Sequence, residues 1–132
     1  MQDDTSGTRL RVASYFSRRA HAAGVPLLAG TDSLGNGSVD GYVLPNLHAE
    51  LELLVSNAGL TPAEALLAAT RTGAQVLGRE RDLGTVEAGK LADLVVLDAD
   101  PTRDIRGTRT VRLVVKRGAV YAPWAAAEHG SE

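Results

Sequence analysis

Apolar positions along the chain change their period several times, and each change marks an element. Leu10, Ala13, Phe16, Ala20 and Ala23 recur at helical steps, predicting a helix with one apolar stripe and Arg9, Arg11, Arg18 and Arg19 on its other sides. Gly24 follows where a helix ends in a left-handed residue. Val25-Pro26-Leu27-Leu28-Ala29 is short and continuously apolar, which suits a strand buried on both faces of a parallel sheet. That run stops abruptly in Gly30-Thr31-Asp32-Ser33. Helix, glycine, then strand is the αβ half of a repeating β/α unit.

The stretch Leu34–Pro45, with Gly35, Gly37 and Gly41, is longer than a usual βα connection and sits where a substrate lid would sit. Leu47, Leu51, Leu54, Val55 and Ala58 predict a second helix over 47–57, with Asn46 as its N-cap and Glu50 and Glu52 near its start. Gly59 closes it. Thr61-Pro62-Ala63-Glu64 is a capping box with proline at the first helical position, and it opens a third helix that Gly78 stops. The small residues on that helix predict close packing, with Gly73 as the point of closest backbone approach.

Beyond Gly78 the character changes. The stretch 84–93 is turn-rich, Leu94–Asp98 reads as a strand, and Arg103–Arg109 reads as a polar loop. Val111, Leu113 and Val115 alternate with polar residues, predicting a strand with one wet face. Arg117-Gly118 makes a two-residue turn into Ala119-Val120-Tyr121. The chain thus divides into a β/α section over 1–78, an antiparallel section over 79–122 and a tail over 123–132. The tail holds Trp124, which could dock, and His129.

Composition narrows the function classes. The 132 residues are 44% hydrophobic and 23% charged, which is a globular composition with room for one ordinary core. A formal net charge of −2 with no basic block gives no reason to expect nucleic acid or an anionic membrane as partner. Without cysteine there is no disulfide and no thiolate metal site. The polar, acidic lead Met1–Gly7 is unlike a signal peptide, and the cytoplasm is the expected compartment.

Asp32 is the first candidate for chemistry. In a barrel of parallel strands the carboxyl ends of the strands and the loops after them build the active site, and Asp32 stands at such an end. The alternative is that its side chain caps the following turn. His48, in the first turn of the second helix and close to that end, is the candidate for substrate binding. His21 is read as a helix-end histidine with a structural role.

Several runs occur together in one order. They are Ala29-Gly30-Thr31-Asp32-Ser33, then His48-Ala49-Glu50-Leu51-Glu52-Leu53-Leu54-Val55, then Gly59-Leu60-Thr61-Pro62-Ala63-Glu64-Ala65-Leu66. Ala69-Thr70, Ala74 and Leu77-Gly78 follow, and the series ends in the composite run from Gly84 to Asp98. Over about residues 10–121 the chain resembles the C-terminal part of the metal-dependent amidohydrolase superfamily, in its imidazolonepropionase-like and prolidase-like branches. The resemblance implies an α/β fold: the last helix–strand–helix portion of a (β/α)₈ TIM barrel, with the returning strands of a small composite β-sandwich. It implies that Asp32 matches the aspartate ending strand eight, as metal ligand and as general base for the attacking water. It implies one or two divalent metals, zinc by expectation, and a small-molecule substrate with a C–N bond to cut, in a cyclic amide or a dipeptide-like compound. Asp93 and Asp98 fall on the sandwich strands, in structural roles.

A TIM barrel takes about 250 residues, and the family's paired histidines after strand one have no counterpart among His21, His48 and His129. Metal binding in the usual zinc geometry needs three or four protein ligands. The chain is therefore expected to be inactive alone and to need the N-terminal barrel portion or self-association. The alternative is a non-catalytic remnant or interaction module that exposes its barrel face to a partner.

Overall fold

The computed structural model describes residues 5–31 and 47–121. Asp32, the connection Leu34–Pro45, the cap Asn46, Trp124 and His129 lie outside the described residues.

Helix α1 spans Thr5–Ala22. It ends in a Schellman motif. Gly24 takes φ +74°, its N–H donates to His21 O at 2.9 Å, and Val25 N–H donates to Ala20 O at 2.9 Å. The predicted apolar stripe does not face the rest of the described chain: Leu10 is 45% exposed and Phe16 64%. Polar groups attach the helix instead. Arg18 donates through Nε to Asn57 O and through Nη2 to Ser56 O, and Asn57 donates to Ser14 Oγ at 3.1 Å.

The predicted strand at 25–29 is the main correction. Residues 25–31 join no sheet, because a parallel strand needs neighbours from other β/α units and none lies among the described residues. Their burial nonetheless alternates. Leu27 and Ala29 pack against the core while Val25 and Leu28 are 52% and 45% exposed, so one face of the run is covered rather than two.

Helix α2 spans Leu47–Ser56, and Gly59 follows it at φ +83°. The third predicted helix forms as two, α3 over Pro62–Ala69 and α4 over Arg71–Val76. The break sits at Thr70 (φ −124°, ψ −83°), whose hydroxyl donates to Leu66 O at 2.8 Å. A hydroxyl bonded back to the preceding turn weakens the helical ladder at that point, though the same bond from Ser14 to Leu10 O leaves α1 continuous. At the start of α3 the capping box forms as predicted: Thr61 Oγ1 accepts from Glu64 N–H at 3.3 Å, and Thr61 N–H donates to Glu64 Oε2 at 2.7 Å. Those bonds favour the carboxylate form and hold the Glu64 pKa below its usual value.

The core lies between α2, α3 and a short 3-10 turn at Ile105–Arg109. Leu51, Leu54, Ala58, Leu60, Ala65, Ala68 and Ile105 are buried there. That turn was expected to be loop. Asp104 starts it by accepting from Arg106 N–H at 3.0 Å, and burial of Ile105 against α2 secures it.

Strands β1 (Leu94–Leu97), β2 (Val111–Lys116) and β3 (Ala119–Tyr121) form an antiparallel sheet in the order β1-β2-β3. Arg117 and Gly118 both take positive φ, 50° and 82°, which is the hairpin turn the sequence predicts. Asp93 fastens the hairpin, accepting from Lys116 Nζ and from Arg117 N–H at 2.7 Å. The close approach expected at Gly73 occurs at Gly84. A Cβ on Gly73 would meet Leu28 Cδ1 at an ordinary 3.6 Å, whereas one on Gly84 would meet Ala74 Cβ at 2.7 Å.

Candidate functional site

The end of the run 25–31 is fixed by two helices. Ala29 N–H donates to Ala68 O at 3.2 Å, a carbonyl near the break between α3 and α4. Gly30 N–H donates to Glu50 Oε1 at 3.4 Å, from the first turn of α2. Together with Leu27 and Ala29 in the core, these bonds carry the chain to Thr31, immediately before Asp32. Glu50 was expected only to complement the helix dipole; its contact with Gly30 is a role that sequence reasoning missed.

His48 sits in the first turn of α2, half-buried, with Nδ1 3.0 Å from Thr108 Oγ1 in the 3-10 turn. The Thr108 hydroxyl has a single proton and donates it to Ile105 O at 2.8 Å. It therefore accepts from His48, which assigns the Nδ1–H tautomer and leaves the lone pair on Nε2. Burial, then the neighbouring Arg109 guanidinium, hold the His48 pKa below 6.5, against a smaller upward pull from Glu52. Beside this pair Arg109 Nε donates to Glu52 Oε1 at 2.7 Å. The two contacts join α2 to the 3-10 turn that precedes β2, and so join the helical section to the sheet. Thr108 carries no motif of its own in the sequence. Its partner comes from 60 positions away.

His21 lies far from this pair in role, with Nε2 3.8 Å from Glu64 Oε2 at the start of α3. A groove of about 370 Å³ lies along α1, lined by Leu10, Tyr15, Arg18 and Asn57 among others, and none of residues 27–31 or 47–50 borders it. Among the described residues no three His, Asp or Glu side chains come together to hold a metal ion, so residues 5–31 and 47–121 do not by themselves fit a metal centre. No helix among them is long and apolar enough to cross a membrane.

Comparison with known proteins agrees with this architecture. The model of the amidohydrolase family matches residues 8–121. An imidazolonepropionase of Symbiobacterium thermophilum is 37% identical over 105 residues, which is 77% of this chain and 24% of that protein. The crystal structure of a Xaa-Pro dipeptidase with methionine bound in its active site superposes with TM-score 0.70 at 33% identity, over 83% of this chain and 25% of that one. The structure of molinate hydrolase gives TM-score 0.70 at 34% identity, over 80% and 25%. The chain spans about a quarter of the length of the relatives it matches.

Proposed function

Because the chain belongs to the amidohydrolase family, we propose that residues 1–78 supply the closing β/α unit of a metal-dependent hydrolase barrel and residues 79–122 the returning strands of its small sandwich. The reaction is hydrolysis of a C–N bond in a small molecule, either a cyclic amide or a dipeptide-like compound. The names of the imidazolonepropionase and Xaa-Pro dipeptidase relatives support both substrate classes.

The observation that carries this reading is the match over residues 8–121, which includes the run to Gly30-Thr31-Asp32 and the helices gripping its end. In it, Asp32 is the general base: its carboxylate takes a proton from the attacking water, a task suited to a carboxylate at a barrel mouth. Asp32 is also the residue assigned to a divalent metal, zinc in our reading, whose other ligands come from outside residues 1–132. His48 offers the Nε2 lone pair as an acceptor for a donor group on the substrate, since Nδ1 is engaged by Thr108.

The rest of the barrel is the partner this reading requires. Val25 and Leu28 on the run and Leu10 and Phe16 on α1 are the apolar side chains it would cover. The test is to co-express the chain with the N-terminal three-quarters of an imidazolonepropionase relative and assay cyclic amides and dipeptides. Hydrolysis by the complex and by neither part alone is expected. A well-folded complex that cleaves no C–N substrate contradicts the reading and favours an interaction module.

A further inference from the structure

Three ionisable side chains meet where α2 packs on the 3-10 turn that precedes β2. His48 and Glu52 lie one helical turn apart on α2, and Arg109 comes from the 3-10 turn. Arg109 Nε donates to Glu52 Oε1 at 2.7 Å, a bond from one element to the other. Both side chains are partly open to solvent, so the pair is weak enough to be exchanged for another. His48 Nδ1–H donates at 3.0 Å to Thr108 Oγ1, the neighbour of Arg109 in the chain. The imidazole therefore feels both members of the pair: the guanidinium disfavours its proton and the Glu52 carboxylate favours it. In the same turn Arg106 is taken by Asp104 at 2.7 Å and is drawn more weakly toward Glu52. Glu50, also on α2, is turned to Gly30 N–H instead.

The connection runs on from the turn into the sheet. Thr110 accepts from Asp98 N–H at 2.9 Å through its carbonyl and from Ala99 N–H at 2.9 Å through its hydroxyl, at the end of β1. A bond to Arg109 thus ties α2 to the segment that carries the end of β1.

We propose that Glu52 exchanges partners when His48 is protonated, so that the joint between α2 and the sheet is a proton-sensitive latch. With His48 neutral, Glu52 has Arg109 as its cation and the bond crosses between the elements. With His48 protonated, Glu52 has a second cation four residues away on its own helix, a spacing at which helical side chains meet. The imidazolium also repels the guanidinium beside it. Both effects draw Glu52 from Arg109. The His48–Thr108 bond remains, since Nδ1 donates in either form. The latch opens as pH falls through the His48 midpoint, which lies below 6.5 because burial and Arg109 outweigh Glu52. Neither Asp32 nor the proposed reaction enters into this.

The chain carries a control for the test. Arg18 Nε–H donates to Asn57 O, a carbonyl that does not titrate, so Arg109 Nε–H can be read against it in proton–nitrogen correlation spectra. Between about pH 7.5 and 5, solvent exchange of Arg109 Nε–H relative to Arg18 Nε–H is expected to quicken about three-fold, at the midpoint where the His48 ring titrates. Glu52→Gln removes the second partner of His48 and is expected to lower that midpoint by about 0.3 of a pH unit. His48→Gln cannot take up the proton and is expected to keep the exchange ratio flat over the same range. A ratio that stays flat in the wild-type chain while the His48 ring titrates overturns the proposal. So does an equal rise in H48Q, or an unchanged or raised midpoint in E52Q. The wild-type measurement needs no variant, so it decides even where a variant fails to fold.

Discussion

Residues 5–31 and residues 47–116 are held in different ways. In the second region Leu51, Ala65, Ala68 and Ile105 are nearly inaccessible, and α2, α3 and the 3-10 turn enclose them. In the first region no described residue is fully buried, and α1 is attached through Arg18, Ser14 and the turn at Gly24. Both regions carry apolar positions at helical spacing in the sequence, with two large residues in the α1 stripe, Leu10 and Phe16, and four on α2, Leu47, Leu51, Leu54 and Val55. The difference is that α2 and α3 find their partners within this chain, while α1 and one side of the run 25–31, at Val25 and Leu28, present theirs outward. Apolar patterning states how much surface an element needs to cover; it does not state which part of the chain covers it.

Mutational costs should follow this division. Leu51→Ala removes a side chain that is 3% exposed, and should cost about 3 kcal/mol in urea unfolding of the chain. Gly84→Ala should cost about 2 kcal/mol or more. The new Cβ falls 2.7 Å from Ala74 Cβ, at a φ of +93° that an L side chain rarely adopts. Thr61→Ala removes the capping box of α3, for about 1 kcal/mol. Phe16→Ala on α1 should change stability by less than about 0.5 kcal/mol, since the ring is 64% exposed. A cost for F16A close to that of L51A would erase the distinction between the regions.

The smallest effect is on pH dependence. His48 has a folded pKa below 6.5, so on acidification the unfolded chain takes up the proton first. Stability is therefore present above 6.5 and lost as pH falls through the lowered folded value. The hydrogen bond to Thr108 survives protonation, because Nδ1 is a donor in both forms; the loss comes from burying charge beside Arg109. His48→Gln should flatten the stability profile between about pH 7 and 5. Below this range the lowered carboxylates of Glu64, Asp93, Asp100 and Asp104 act with the same sign, losing their contributions as pH falls through their folded values. Glu64, Asp100 and Asp104 are exposed and are screened by salt, whereas Asp93 is half-buried.

What was legible in the sequence was whatever is encoded within a few residues. The Thr61–Glu64 capping box, the left-handed stops at Gly24 and Gly59 and the Arg117-Gly118 turn all form as their residue types require. Features that depend on distant partners were not legible. The run 25–29 reads as a strand, but pairing depends on neighbouring β/α units. Ile105–Arg109 reads as a polar loop, because the burial that organises it comes from α2. The helix after Thr61 reads as one piece, but it breaks at Thr70 into α3 and α4. At the candidate site, position in the chain pointed to Asp32 and His48, whereas the Gly30–Glu50 and His48–Thr108 contacts exist only once α2 is in place.

The most direct measurement is the kcat of the reconstituted hydrolase with Asp32→Asn, at unchanged circular dichroism and unchanged association between the parts. A general base at Asp32 predicts a fall of at least about 10²-fold. Full activity of D32N would show that the carboxylate following Gly30 and Thr31 is not the base, and that the chemistry belongs to another part of the protein.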